Sequence, residues 1–205
     1  FMIENNILGV ILAGGKSSRF GSNKADARLG DKTLLEHIIS KVEKNFLEVL
    51  IVSNNESIKI NKKNVFLVKD FIKGQLGPLI GILSAMKWIE QNNKKYKWIA
   101  TFPCDTPFFD DSIIEKLKNC SISNDHMLFF LNSRKKRHNI FGLWSIKLID
   151  ILEEDIRSNN FRKVELWADK MGVQKIEVNT EGFDKFLNIN TLDDLEDAKK
   201  NLDKI

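Results

Sequence analysis

Short apolar runs of strand length alternate along the chain with segments whose apolar residues recur at helical spacing. Ile7–Leu12 reads as a buried strand, and residues 13–30 follow it as a long loop. Thr33 and Glu36 form a capping box that opens a helix, with Leu34, Leu35, Ile38, Ile39, Val42 and Phe46 on its apolar face. Residues 49–53 and Val65–Val68 read as the next two strands. Gly77 and Pro78 turn a loop into a helix running to about Gln91, since proline suits a first helical turn. Residues 98–102 read as a central strand ending at Pro103-Cys104-Asp105, and Asp110, Asp111 and Ser112 offer caps for a further helix. Strands over 126–131 and 140–145 flank the basic stretch 134–138. Helices over 146–157 and 161–171, a strand over 173–178 and a closing helix over 191–202 complete the pattern. This alternation predicts an α/β fold with a largely parallel sheet. No repeat, low-complexity segment or linker interrupts it, so residues 1–205 read as one domain.

Composition changes this picture little. Hydrophobic residues make up 42% and charged residues 29% of 205 residues, the balance of an ordinary globular chain. The 32 basic and 28 acidic residues are interspersed and give a formal net charge of +4. That excess suits an anionic small substrate and lacks the concentrated basic patch of a nucleic-acid binder. Cys104 and Cys120 form neither a disulfide framework nor a C-x-x-C pair, which predicts a reducing compartment and no zinc site. Cys104 reads as a small buried residue at a strand end, not a nucleophile, because no histidine stands near it in sequence to activate it. No apolar run approaches the roughly 20 residues of a membrane span, so a cytoplasmic protein is expected, and Phe1 ahead of Met2 reads as a cloning remnant.

Chemistry concentrates in three places. The stretch Leu12-Ala13-Gly14-Gly15-Lys16-Ser17-Ser18-Arg19-Phe20-Gly21-Ser22-Asn23-Lys24 directly follows the first strand. Its glycines let backbone N–H groups approach phosphate oxygens, Arg19 offers a planar fork, and Lys24 offers a mobile point charge. It is neither a Walker A loop nor a dinucleotide fingerprint, whose glycine spacings it lacks. The second place is Asp105, within Phe102-Pro103-Cys104-Asp105-Thr106-Pro107-Phe108 at a strand end. It fits a Mg²⁺ ligand, because Mg²⁺ takes only one or two protein carboxylates, and equally fits a turn aspartate held by Thr106 and Pro107. The third is Leu187-Asn188-Ile189-Asn190-Thr191, where alternation sets Asn188 and Asn190 on one face, either as metal or acceptor contacts or as helix-capping residues. Asp70 follows one strand and Asn54 and Asn55 another, which makes each a candidate for lining the same crevice. Of the three histidines only His138 reads as a substrate contact, and Trp88, Trp98, Trp144 and Trp167 read as core.

Together these features resemble one family, the molybdenum cofactor guanylyltransferases (MobA), within the Rossmann-like nucleotidyltransferases. Besides the loop, the resemblance runs through Gly77-Pro78-Leu79-Ile80-Gly81, Pro103-Cys104-Asp105-Thr106-Pro107-Phe108, Arg162-Lys163-Val164 and Asn188-Ile189-Asn190-Thr191. It implies a three-layer αβα domain. It also implies Mg²⁺-dependent GMP transfer from GTP to the terminal phosphate of molybdopterin or its molybdenum-loaded form, with a molybdoenzyme or insertion chaperone downstream. By position, Leu12, Ala13 and Gly14 would meet guanine or ribose, and Lys24 the phosphates. Asp70, with Gly77 and Pro78, would line the nucleotide pocket, Asp105 would hold Mg²⁺, His138 would face the acceptor, and Asn188 and Asn190 would face the acceptor's pterin side or the metal. Gly15 after Leu-Ala-Gly matches the guanine-using pattern, where cytidylyl-transferring relatives have Leu-Ala-Ala-Gly. Three positions depart from the family: Asn23 stands where an Asp is frequent. The pocket asparagine aligns with Ser53, or with Asn54 after a one-residue slip. Asn139 replaces a proline after His138. The residues alone leave open use of CTP, a sugar-phosphate acceptor, or a non-catalytic nucleotide-binding module.

Overall fold

A computed structural model describes residues 6–14, 26–74, 77–121 and 126–205. Four parallel strands form one half of its sheet: β1 (Ile7–Leu12), β4 (Val49–Val52), β5 (Val65–Val68) and β6 (Trp98–Pro103). The other half is built from β7 (Leu128–Ser133), β8 (Lys136–Ser145) and β9 (Gln174–Glu177). The seven strands lie in the order β5-β4-β1-β6-β8-β7-β9. Strand β8 pairs antiparallel with both β6 and β7, and β9 pairs parallel with β7, so β8 alone runs against the rest. A two-stranded ribbon, β2 (Arg28–Leu29) with β3 (Lys32–Thr33), occupies the end of the stretch read as loop, turning on Gly30.

The apolar runs form strands because both faces of the sheet are covered, as near-continuous hydrophobic strands require. Alternate residues go to opposite faces. Ile7, Ile11, Val49 and Ile51 pack with Leu35, Ile38 and Val42 of α1 (Leu34–Val42) and with Ile113, Ile114 and Leu117 of α3 (Asp111–Cys120). Leu8, Val10, Leu50 and Val52 pack on the other face against α2 (Pro78–Gln91), α4 (Ile149–Arg157) and α5 (Val164–Lys170). Three layers result, as expected.

The capping signals hold at both ends of the chain. Glu36 N donates to Thr33 Oγ1 at 3.1 Å while Thr33 N donates to Glu36 Oε2 at 2.7 Å. Thr191 and Asp194 repeat the arrangement at the start of α6 (Leu192–Lys199). Several boundaries differ from the sequence reading: β7 lies two residues later than read and α6 ends at Lys199, and two further shifts have a visible cause. Residues 161–163 lie outside the helix, because Phe161 N donates to Asp155 O at 3.1 Å, and Arg162 donates to the carbonyls of Ile156 and Phe161 at 2.8 Å. Strand β8 begins at Lys136, because residues 133–136 close a hairpin on Arg134 and Lys135, both at positive φ.

Strand order decides where a ligand site forms. From β1 the chain passes through α1 to β4 and β5 on one side, then returns through α2 to β6 on the other. The carboxyl ends of β1 and β6 therefore border a topological switch point, where open α/β sheets bind ligands.

Candidate active site

Every strand-end residue named from the sequence emerges at this carboxyl edge. Leu12 ends β1, and Ala13 N continues the ladder by donating to Val52 O at 3.0 Å. Ser53, one residue past β4, is buried and donates from Oγ to Ala13 O at 2.9 Å. Asn54 is exposed and paired reciprocally with Asp70. Its Nδ2 donates to Asp70 Oδ2 at 2.6 Å, and Asp70 N donates to its Oδ1 at 3.0 Å. Asn54, not Ser53, thus presents its side chain at the edge. Burial raises the Asp70 pKa above its ordinary value, and the Asn54 hydrogen bond opposes the rise. Gly15, Arg19 and Lys24, with the rest of residues 15–25, lie outside the described residues.

The start of α2 closes over the β1 and β4 ends. Gly77, its N-cap, has φ +83° and ψ −178°, a conformation essentially restricted to glycine. A Cβ there would stand 3.1 Å from Arg162 O, so the segment before α5 lies directly against it. One turn later, a Cβ on Gly81 would meet Leu12 Cδ2 at 3.1 Å, which sets the approach of helix to strand. Pro78 in the first turn lacks an N–H that no helical carbonyl could accept. A helix of 14 residues so placed directs the positive end of its dipole at the crevice.

Asp105 leaves β6 half-buried, and its carbonyl accepts from Ile189 N at 2.9 Å. The Thr106 hydroxyl, fully buried, stands 3.1 Å from Asp105 Oδ1 and 2.6 Å from Asn188 Oδ1. One hydroxyl therefore gathers the carboxylate and the amide that the sequence separates. Ile189 is buried with Leu29, Leu34, Phe108, Leu195 and Ala198, and this small cluster holds residues 188–190 beside Asp105. Alternation is observed as expected: Asn188 and Asn190 are exposed on either side of buried Ile189. The cap of α6 is Thr191, and Asn190 contributes its backbone N–H to Asp194 at 2.8 Å.

Because β8 runs backwards, its first residues reach the same edge. His138 stacks on Phe186 with ring centroids 3.8 Å apart, and its Nε2 lies 2.7 Å from Ser133 Oγ. Burial depresses its pKa, as does the Lys136 charge, while Asp184 opposes them, and the net value is lowered to about 4. The ring is neutral at pH 7, an aromatic group and not a cation. Two other members of the basic stretch hold the protein to itself. Arg134 donates to the carbonyls of Thr180 and Gly182 at 2.9 and 2.7 Å, and Arg137 pairs with Asp169 at 2.5 Å.

Sequence reasoning missed Thr106 as the bridge and Ser133 and Phe186 as the surroundings of His138. Only the strand ends and the turn signals pointed near them. Trp144 and Trp167 are fully buried and Trp98 is 9% exposed, so they pack the core as expected, and Cys104 is buried at its strand end. An open cleft of about 680 Å³, lined by residues including Glu48, Lys94 and Tyr96, lies at the opposite, amino edge. There Lys94 and Tyr96 are both engaged by Glu48, at 2.7 and 2.8 Å. Among the described residues no cluster of three His, Cys, Asp or Glu side chains is arranged as a metal site. No helix among them is long and apolar enough to cross a membrane.

Comparison with known proteins agrees with this geometry. Residues 9–169 match the family described as MobA-like NTP transferase domain. The molybdenum cofactor guanylyltransferase of Rhizobium rhizogenes is 32% identical over 195 residues, which cover 93% of this chain and 89% of that protein. The molybdenum cofactor guanylyltransferase of Haemophilus influenzae is 32% identical over 191 residues, 92% of this chain and 95% of the relative. Among solved structures, the molybdopterin-guanine dinucleotide biosynthesis protein A of Archaeoglobus fulgidus superposes with a TM-score of 0.78 at 22% identity. That alignment covers 97% of this chain and 100% of the other.

Proposed function

The chain belongs to the MobA-like NTP transferase family, and from that premise we propose that it transfers GMP from GTP to the terminal phosphate of molybdopterin or its molybdenum-loaded form. The observation that carries the reading is the meeting of Asp105, Thr106 and Asn188 at the switch point, beside the exit of β1 into the glycine-rich loop. The names of the relatives supply the nucleotide and the acceptor class.

On this reading an oxygen of the acceptor phosphate attacks the α-phosphorus of GTP in line. A new P–O–P bridge forms, the bond between the α-phosphorus and its bridging oxygen breaks, and pyrophosphate leaves with that electron pair. The acceptor is already an anion, so no general base is needed, and catalysis consists of positioning and charge neutralisation. Leu12, Ala13 and Gly14 hold the guanine and ribose, with Asn54 and Asp70 on the β4–β5 side. Arg19 and Lys24 neutralise the phosphates, with backbone N–H groups from Gly14 through Gly15 onward donating to them and the amino end of α2 at Gly77 and Pro78 aiding. Asn190 and the His138–Phe186 stack face the acceptor.

The oxygens of Asp105 and Asn188, brought together by Thr106, are hard donors that fit Mg²⁺, which keeps most of its waters and needs few protein ligands. When bound, Mg²⁺ supplies polarisation of the phosphate oxygens. A molybdoenzyme or its insertion chaperone would then receive the product.

The test is mass spectrometry of the product formed with GTP, Mg²⁺ and molybdopterin, run in parallel with CTP. The expected result is the guanine dinucleotide with pyrophosphate. A cytosine product alone would move the reading to a cytidylyl transfer, and no product with either nucleotide would reduce the chain to a nucleotide-binding module.

A further inference from the structure

The segment leaving β4 touches both feet of the glycine-rich loop. At the entry, Ser53 Oγ donates to Ala13 O at 2.9 Å. At the exit, the Asp26 carboxylate receives Ser57 Oγ at 3.2 Å and Asn55 Nδ2 at 3.4 Å, both on Oδ2. The segment fixes its own shape between these points. Asn55 N donates to Ser53 Oγ at 3.2 Å, and Ser57 N donates to Asn55 Oδ1 at 3.0 Å. Because Oδ1 accepts from Ser57, the amide nitrogen of Asn55 is turned towards Asp26. Ser57 Oγ also lies 2.9 Å from Asn55 Oδ1, so its single proton serves one acceptor at a time. Next in the chain, Ile58 is buried in the core and anchors the segment to the sheet.

We infer that Asp26, Asn55 and Ser57 are positioning residues that clasp the exit of the nucleotide loop to its entry and so set the spacing of its two ends for a triphosphate. The inference rests on the nucleotide-binding reading of that loop given above. None of the three is assigned a contact with GTP. Tying both ends of a loop to one rigid strand end limits the conformations it must give up on binding. Asp26 and Ser57 are exposed and Asn55 is half-buried, so the clasp adds little to the stability of the whole fold. Opening it lowers the fraction of molecules ready to bind, and the apparent Kd rises by the reciprocal of that fraction. Turnover at saturating GTP is then preserved.

The experiment compares the wild type with Asp26→Ala, Asp26→Asn and the double variant Asn55→Ala/Ser57→Ala. Calorimetric GTP binding, steady-state kinetics and thermal unfolding are measured on each full chain. Asp26→Ala and the double variant are expected to raise Kd and KM for GTP roughly tenfold, with kcat within about twofold. Asp26→Asn keeps an oxygen acceptor and restores most of the affinity. An unchanged KM in Asp26→Ala, or a fall in kcat at constant KM, overturns the clasp. So does an Asp26→Asn variant as weak as Asp26→Ala, which would assign the effect to charge alone. Trypsin cleavage after Lys24, followed by mass spectrometry, reads the clasp without nucleotide. Faster cleavage is expected in Asp26→Ala and in the double variant at unchanged unfolding temperature, and equal rates reject the clasp. A wild type that binds no GTP would instead strike the nucleotide reading, so the two failures are distinguishable.

Discussion

Thr106 and Asn188 stand 82 residues apart in the chain and 2.6 Å apart in space, with the Asp105 carboxylate on the same hydroxyl. Removing the carboxylate takes away the one full negative charge of this oxygen cluster while leaving the backbone bond from Ile189 to Asp105 O in place. Asp105→Ala is therefore expected to lower turnover by at least about 10²-fold, the scale of losing one charge-stabilising group. Its unfolding curve should stay close to wild type, and a near-normal Mg²⁺-dependent rate would dismiss the metal assignment. His138 makes a different prediction. Its pKa is lowered from 6.5 to about 4, chiefly by burial. Between those values the unfolded chain binds a proton that the folded chain refuses, so this stability is complete above pH 6.5 and is lost as pH falls towards 4. His138→Gln should flatten the acid limb of stability against pH in that window, as measured by urea midpoints from pH 7 to 4.5. A variant with the wild-type slope would show that the ring does not titrate this way.

At the level of elements, the glycines at the start of α2 separate two kinds of constraint. Gly77 combines a backbone conformation other residues avoid with a rigid neighbour, the Arg162 carbonyl, whereas the atom nearest Gly81 ends a mobile leucine side chain. Gly77→Ala should cost about 1–3 kcal/mol in chemical denaturation, more than Gly81→Ala, and equal costs would refute the backbone argument. The elements most legible in the sequence were those with local causes: the Thr33/Glu36 and Thr191/Asp194 boxes, Pro78, and the apolar runs of β1 and β4. What the sequence could not supply was contact at a distance. Residues 161–163 leave the helical pattern because Asp155 O captures Phe161 N. That aspartate is itself fixed by Trp167, Lys170 and Asn159, each 2.6–2.8 Å away. Burial works to raise the Asp155 pKa, and these hydrogen bonds, led by Lys170, bring it below its ordinary value. The hairpin at 134–135 likewise depends on pairing β7 with β8, which periodicity alone does not reveal.

For the molecule as a whole, strand-end chemistry was readable, since any residue following a parallel strand must emerge at one edge. Which strand ends become neighbours was not, because that follows from the return of the chain past β1 to place β6. The one reversed strand, β8, has a consequence of another kind. Parallel strands are joined by long crossovers, and the loops leaving β1 and β6 each lead to a helix that must still reach its place on the sheet. The turn between β7 and β8 carries no such obligation, and it can lengthen or shorten without moving a helix, giving up only the Arg134 bonds to Thr180 and Gly182. On the proposed reading that turn adjoins the acceptor. The fold is thus divisible for evolution and for design: a conservative half that keeps its nucleotide, and a half where a two-residue tip can be exchanged to admit a different partner in the reaction.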